Sequence, residues 1–198
     1  CRFLAGLFPL KEIVRYSMIV AQKKRRENII EYLLYMWQVE DLIRAANVTE
    51  EGIENLILPK YQGDKERLQS IRAWYKELID MMRTESKQKG GHLDINRIVL
   101  LELEELHQRL SSNPEDYVYS GLYFKILPAL IQLRGKGTKE GERDIETLLN
   151  AVYGYITLSL QGKEISEETQ QSMKQISAFL AILAHRYNLE HEQELKSN

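Results

Sequence analysis

The chain has 198 residues, of which 43% are apolar and 28% are charged, a composition typical of a soluble globular protein. Its formal net charge of −2 gives no overall attraction to nucleic acid or anionic membranes, so such binding would need a local patch. The single cysteine, Cys1, excludes an internal disulfide framework and every Cys-based zinc motif, which favours a reducing, cytoplasmic location.

The first 17 residues are expected to lie outside the fold. Residues 3–8 form an apolar run, but six residues are too few to span a bilayer, which needs roughly 20. No small-residue cleavage site follows the run. A lipid anchor on Cys1 is the alternative, although an apolar segment stands where a lipoprotein carries a polar tether. We therefore expect translation to begin at Met18, residues 1–17 to be upstream sequence or an extension, and no membrane association.

From Met18 onward, the spacing of apolar residues predicts helices in nearly every segment. The first helix is expected over residues 19–46. Thr49 then caps a short second helix that stops before Pro59. The third helix begins near residues 62–64 and ends at the Gly90-Gly91 pair.

Four further helices are predicted in the second half of the chain. The fourth runs from Asp94 to about Ser112. The fifth, over residues 115–134, is apolar almost all round and is therefore expected at the centre of the bundle. The sixth follows a glycine-rich linker, and Ser166 begins the seventh. We predict an all-α fold, a single-domain bundle or array of about six or seven helices over residues 18–190, with a charged, frayed tail at 191–198.

The first predicted helix places charged residues among apolar ones. Projected at about 100° per residue, Glu40 lies near the middle of the apolar arc, and Asp41 and Arg44 lie within it. A buried carboxylate without a partner is costly, so the pattern predicts an ion pair between Glu40 and Arg44 that fixes helix packing. One alternative is a polar pocket, lined also by Trp37, that receives a ligand or a partner group. The other is exposure of one or more of these residues.

The fourth helix carries two more carboxylates of interest. Glu102 projects onto its apolar arc and completes the candidate pocket with Trp37, Glu40, Asp41 and Arg44. Glu104 and His107 have the Glu-x-x-His spacing of di-iron bundles, but that site needs the motif twice and the chain has it once. Because Glu104 also projects off the apolar arc, a solvated helix face is expected there, with no metal and no cofactor.

The only dense basic run consists of Lys23, Lys24, Arg25 and Arg26. At the start of a predicted helix these charges oppose the helix dipole, which leaves them available for an anionic partner. No interleaved aromatic residues and no second basic helix accompany them, so a solvated surface is expected ahead of nucleic-acid binding.

Signatures of catalysis are missing from the chain. It contains no Gly-rich phosphate loop, no Gly-x-Ser-x-Gly elbow and no His-Glu-x-x-His motif. No catalytic residue is therefore predicted. An enzyme built from Glu40, Asp41, Glu102 and His107 stays an open alternative.

The segment MIVAQKKRRENIIEYLLYMWQVEDLIRA, which begins at Met18, resembles the start of a bacterial domain-of-unknown-function family. The resemblance covers residues 18 to about 190 and implies a small, cytoplasmic, all-helical protein. It brings no assigned activity, cofactor or catalytic residue. We expect a non-enzymatic protein that binds a protein partner or a second copy of itself. The alternatives are a ligand-binding protein or enzyme that uses the pocket around Glu40, and a nucleic-acid-associated protein that uses the basic run.

Overall fold

The computed structural model describes residues 17–61, 65–137 and 141–197 of the chain. These residues form one 3₁₀ turn (Leu58–Lys60), no strand, and eight α-helices: α1 (Ser17–Glu27), α2 (Ile29–Ala45), α3 (Glu50–Leu56), α4 (Lys65–Thr84), α5 (Asp94–Ser111), α6 (Tyr117–Gly135), α7 (Asp144–Leu160) and α8 (Glu167–Ser197). The all-α class is thereby confirmed, whereas the predicted number of six or seven helices is too low.

The additional helix arises at Asn28, where periodicity predicts one continuous helix over residues 19–46. The Asn28 side-chain oxygen Oδ1 accepts a hydrogen bond from the Ile30 N–H at 3.1 Å, as an N-cap residue does. Asparagine competes in this way with the helical backbone, so α1 ends at Glu27 and α2 begins at Ile29. Apolar spacing carries no information about such a local hydrogen bond.

The turn from α2 into α3 is closely packed. Thr49 Oγ1 accepts a hydrogen bond from the Gly52 N–H at 3.0 Å, which confirms the predicted cap. Val48 has a φ of 54°, an unfavourable value for a β-branched residue, and its carbonyl accepts a hydrogen bond from Arg83 at 2.7 Å. A Cβ atom at Gly52 would overlap the Ala46 carbonyl oxygen, so only glycine fits at this position.

Helix α4 ends at Thr84, ahead of the predicted Gly90-Gly91 stop. Ser86 takes the left-handed conformation with a φ of 57°, and the Lys87 N–H donates to the Met82 carbonyl at 2.8 Å. This is the closure of a Schellman motif, in which serine replaces the usual glycine. The prediction failed because it relied on glycine to mark the end of the helix.

The described residues divide into two compact units. The N-terminal unit comprises residues 17–27 and Glu31–Ile98, and the C-terminal unit comprises Asn28–Ile30 and residues 99–197. The largest buried side chains of the N-terminal unit include Tyr35, Trp37, Ile43, Tyr75 and Leu78. In the C-terminal unit, α6, α7 and α8 pack on one another and bury residues such as Tyr119, Leu148, Leu149, Phe179 and Leu183. The expectation of one domain over residues 18–190 stays a prediction.

Helix α6, the predicted centre of the bundle, buries only one of its faces. Its buried side chains are Tyr119, Ile126 and Leu130. Its strongly exposed apolar side chains are Tyr117, Val118, Phe124 and Ile131. An all-round apolar helix predicts burial on every side, whereas the residues that the structure describes bury α6 on one side.

Two predicted segments lie outside the described residues. They are the expected N-terminal extension, apart from Ser17, and the start of the third predicted helix at residues 62–64. At the other end, α8 extends to Ser197 and includes most of the segment expected to fray. None of the described helices combines the length and the apolar character needed to cross a membrane.

Replacement of Gly52 by alanine is expected to lower the free energy of unfolding by about 2–3 kcal/mol, because the added methyl group overlaps the Ala46 carbonyl. The control is Gly154→Ala. Gly154 lies inside α7 with no atom within 4 Å of an added Cβ, so this variant should gain roughly 0.5–1 kcal/mol. Urea unfolding measures both. Equal effects of the two substitutions would contradict the close approach at Gly52.

Candidate functional site

The carboxylate of Glu40, on α2, is fully buried in the N-terminal unit and serves the start of α5. Its Oε1 accepts hydrogen bonds from the Leu93 N–H at 3.0 Å and from the Asn96 side-chain amide at 2.7 Å. Its Oε2 accepts one from His92 Nδ1 at 2.7 Å. The Arg44 guanidinium lies 3.7 Å from the same oxygen. The buried charge is therefore compensated by three donors and one cation.

Arg44 ties α2 to the segment between α4 and α5. Its Nε donates to the Lys87 carbonyl at 3.3 Å, and its Nη2 donates to the Gly91 carbonyl. Its Nη1 bonds Asp41 Oδ1 at 2.8 Å. The Asp41 side chain is 55% exposed, so its pairing with Arg44 has little effect on stability. Arg44 acts mainly through the two backbone carbonyls.

Trp37 completes this arrangement, which we call the Glu40 cluster: Trp37, Glu40, Arg44, His92 and Asn96. The Trp37 indole stacks on the His92 ring with centroids 4.1 Å apart and an interplanar angle of 14°. The Asn96 Oδ1 atom is buried without a hydrogen-bond partner in the described part of the chain. Sequence reasoning missed His92 and Asn96, because they lie on another segment and carry no periodic signal on α2.

Glu102 takes part in a different contact. It lies in the C-terminal unit, and its Oε2 accepts a hydrogen bond from the Tyr187 hydroxyl at 2.6 Å. Trp37, Glu40 and Arg44, with Asp41 at their edge, all lie in the N-terminal unit. The structure thus brings four of the five predicted pocket residues together through Arg44 and His92, and a pocket shared with Glu102 stays a prediction.

The basic run lies near the end of α1 rather than at the start of a helix, because α1 ends at Glu27, and Lys24, Arg25 and Arg26 occupy its last turn. Positive charges at the C-terminal end of a helix interact favourably with the helix dipole, whereas at the start of a helix they would be repelled by it. Lys23 lies 3.8 Å from Glu27, and Lys24, which is nearly buried, lies 2.7 Å from Glu31. Two of the four positive charges are therefore neutralised locally, which weakens the case for an anionic partner. The remaining two residues are Arg25 and Arg26.

A second buried polar cluster lies in the C-terminal unit, where the sequence predicts a solvated face. Glu104 and His107 are 2% and 4% exposed, so that expectation is wrong. Glu104 Oε1 accepts a hydrogen bond from the Glu146 N–H, in the first turn of α7, at 2.9 Å. The unpaired N–H groups of a helix start need acceptors, and this need draws a carboxylate off the apolar arc into the core.

His107 connects the same region to α6. Its Nδ1 lies 2.8 Å from the Tyr119 hydroxyl, and its Nε2 lies 3.7 Å from Asp144 Oδ2. Asp144 also accepts hydrogen bonds from Tyr123 and Arg134. Among the described residues, no group of three or more His, Cys, Asp or Glu side chains is placed to hold a metal ion. The Glu-x-x-His pair joins α5, α6 and α7 instead.

Burial changes the proton affinities of this cluster. It raises the pKa of Glu104 to about 7, against the hydrogen bond from Glu146, while the nearby Asp144 raises that pKa further. Burial lowers the pKa of His107, and Asp144 opposes this change. Burial also raises the pKa of Tyr123 to about 12. The pKa of Glu104 therefore lies close to neutral pH.

Replacement of Glu40 by leucine is expected to lower the free energy of unfolding by about 3–5 kcal/mol, because Leu93 and Asn96 lose their acceptor and Arg44 loses its buried counter-charge. The neighbouring Asp41→Ala variant, on the exposed side of α2, should change it by less than about 1 kcal/mol. Denaturant unfolding followed by circular dichroism compares them. A small loss in both variants would show that the Glu40 cluster is not a stabilising centre.

The stability of the protein is expected to depend on pH through Glu104. The pKa of this carboxyl is about 7 in the folded state against an ordinary 4.5, so folding takes up a proton between these values. Its stabilising contribution is complete below pH 4.5 and is lost as the pH rises through 7. Relative to a Glu104→Gln variant, wild-type stability should fall by up to about 3 kcal/mol over this window.

Glutamine keeps an acceptor oxygen for the Glu146 N–H, so this comparison isolates the titration of Glu104. His107 is present in both proteins, and its opposite pH dependence, which follows from its lowered pKa, cancels. Unfolding free energies at a series of pH values provide the measurement. A difference between the two proteins that stays constant with pH would contradict the raised pKa.

Comparison with known proteins identifies a family without adding an activity. Residues 18–194 match the family described as a domain of unknown function, DUF4924. The matched span contains both the Glu40 cluster and the polar cluster around Glu104. No curated protein and no solved structure matches the chain. Because the family match covers far more than half of its length, the chain belongs to the DUF4924 family.

Proposed function

We propose that this protein acts by binding, and that it pairs with a second copy of itself through the exposed face of α6. The observation that carries the proposal is a row of large apolar side chains on α6 that stays exposed in the described part of the chain. Tyr117, Phe124 and Ile131 are 81%, 67% and 67% exposed. Monomeric proteins rarely expose contiguous apolar surface of this kind without a partner for it.

The three side chains recur every seven residues, so they lie within about 40° of one another around the helix axis. Gly121 and Pro128 lie between them along the helix axis, within about 40° of Tyr117 around it, and are also exposed. We call these five residues the α6 stripe: Tyr117, Gly121, Phe124, Pro128 and Ile131. Their alternating spacing of four and three residues is the spacing of the a and d positions in a seam between two helices.

The stripe is separate from the core of the C-terminal unit. The buried residues Tyr119, Ile126 and Leu130 project to the opposite side of α6. A Cβ atom at Gly121 would meet no atom within 4 Å, so packing inside the unit does not require a glycine there. Glycine inside a helix costs roughly 0.5–1 kcal/mol relative to alanine. A close approach by another helix is a reason to keep it.

The size of the surface agrees with a weak but specific pair. With Val118, which is 65% exposed, the large side chains of the stripe present roughly 500 Å² of apolar surface, taking about two-thirds of their full areas. Two copies would bury roughly 1,000 Å², the lower limit for a specific interface. We therefore favour a dimer that forms at micromolar concentration.

Charge favours an antiparallel arrangement about a two-fold axis. In that arrangement Phe124 meets Phe124 of the second copy, and Tyr117 faces Ile131. The exposed Glu115 lies at one end of α6 and the exposed Lys136 at the other. Each acidic end then meets the basic end of the second copy, and the helix dipoles run in opposite directions. A cytoplasmic location, expected from the single cysteine, is part of this proposal.

The test is the oligomeric state of the Phe124→Glu variant. Wild-type protein should sediment as a dimer at concentrations of tens of micromolar, and the variant should weaken dimerisation by at least about 100-fold, because it buries a charge twice at the centre of the interface. The control is Leu56→Glu, at a 51% exposed position on α3, which should leave the dimer intact. A monomeric wild-type protein, or a dimeric Phe124→Glu variant with native circular dichroism, would overturn the proposal.

A further inference from the structure

The N-terminal unit contains a cleft of about 270 Å³ between α1, α2, α4 and the first turn of α5, which contributes Ile95. Its base consists of Tyr32, Met36 and Leu78, each at most 5% exposed. The volume lies just below the range of roughly 300–1,000 Å³ for pockets that hold drug-sized ligands. The cleft therefore suits a small ligand, one that places an apolar group against this base.

A single face of α4 contributes to both the base and one wall of the cleft. Trp74, Leu78 and Met81 follow one another at spacings of four and three residues, and all three line the cleft. The indole offers a broad apolar surface, and the thioether side chains of Met36 and Met81 adapt to the shape of what they contact. This wall would accept a branched aliphatic or an aromatic side chain.

Two opposite charges stand at the rim. Arg25, on α1, lies over the Tyr32 ring, with its guanidinium carbon 5.6 Å from the centroid. Glu77, on α4, lines the cleft from the other helix. In the part of the chain that the structure describes, neither of these two side chains forms an ion pair.

The charged residues next to Arg25 and Glu77 in the sequence do form ion pairs. Lys24, next to Arg25, pairs with Glu31 at 2.7 Å, and Lys76, next to Glu77, pairs with Glu50. Among the described residues, Arg25 and Glu77 thus have no partner of opposite charge, while the adjacent side chains form ion pairs. A ligand with a single charge would satisfy one of them and be repelled by the other. A ligand with both charges would satisfy both.

We infer that this cleft binds the zwitterion of an apolar α-amino acid. Its carboxylate accepts hydrogen bonds from the Arg25 guanidinium, its ammonium group pairs with Glu77, and its side chain lies against Trp74 and the base. No covalent step is involved, and the site is independent of the α6 stripe.

The test uses L-phenylalanine as the probe, with 3-phenylpropionate and phenethylamine as analogues that each lack one charge. Isothermal titration calorimetry, supported by quenching of tryptophan fluorescence, should give a dissociation constant below about 1 mM for L-phenylalanine. Each analogue should bind at least about 10-fold more weakly, because it leaves one rim charge unpaired. If either analogue binds as tightly as L-phenylalanine, the inference is overturned. It is also overturned if neither L-phenylalanine nor L-leucine binds at about 10 mM.

Variants locate the site. Arg25→Gln and Glu77→Gln should each weaken binding of L-phenylalanine by about 10-fold or more without changing the melting temperature, because both residues are exposed. The control is Arg72→Gln, which removes an exposed charge of α4 that pairs with Glu54 away from this cleft and should leave binding unchanged. The Phe124→Glu variant should bind normally, so failure of the dimer and failure of the cleft are distinguishable. Binding that survives both rim substitutions would contradict the assigned site.

Discussion

The buried carboxylate of Glu40 is the interaction on which the N-terminal unit depends, because it holds a segment that has no regular structure of its own. The chain between α4 and α5 forms no helix, and α2 anchors it through Glu40 and Arg44. Burying a charge is costly in itself, and the cost is offset only while every donor stays in place. The same group therefore fixes the position of His92 and, through stacking, of Trp37.

The C-terminal unit contains a similar arrangement, in which a buried carboxylate accepts a hydrogen bond from a backbone N–H at the start of another helix. The N-cap residue of α7, Arg143, makes no side-chain capping hydrogen bond, and the free N–H of Glu146 finds its acceptor on α5, in Glu104. In both units a carboxylate from one helix thus completes the beginning of another. Ordinary caps lie within three residues of the group they serve, whereas these acceptors come from a distant part of the chain. They connect secondary structure to tertiary structure through single hydrogen bonds.

These long-range hydrogen bonds also explain which features of the structure can be predicted from the sequence and which cannot. The all-α class and the Thr49 cap follow from spacing and local hydrogen bonding, and so does the burial of Glu40. The partners of Glu40 do not follow, since His92 and Asn96 are more than 50 residues away. The burial of Glu104 cannot be derived from the sequence of α5, because its cause lies in α7, where the Glu146 N–H needs an acceptor. The sequence also does not indicate that one face of α6 is exposed, since apolar residues occur both in a core and at an interface between proteins.

The break at Asn28 bears on the cleft beside α1. Since α1 and α2 do not share a continuous ladder of backbone hydrogen bonds, unwinding of α1 does not have to propagate into α2. The base of the cleft, on α2 and α4, can then persist while the wall formed by α1 separates. The pair between Lys24 and Glu31, whose charged groups lie 2.7 Å apart, is one side-chain contact that resists this separation. The width of the cleft can therefore change at the α1 wall while its base, formed by Tyr32, Met36 and Leu78, keeps its position.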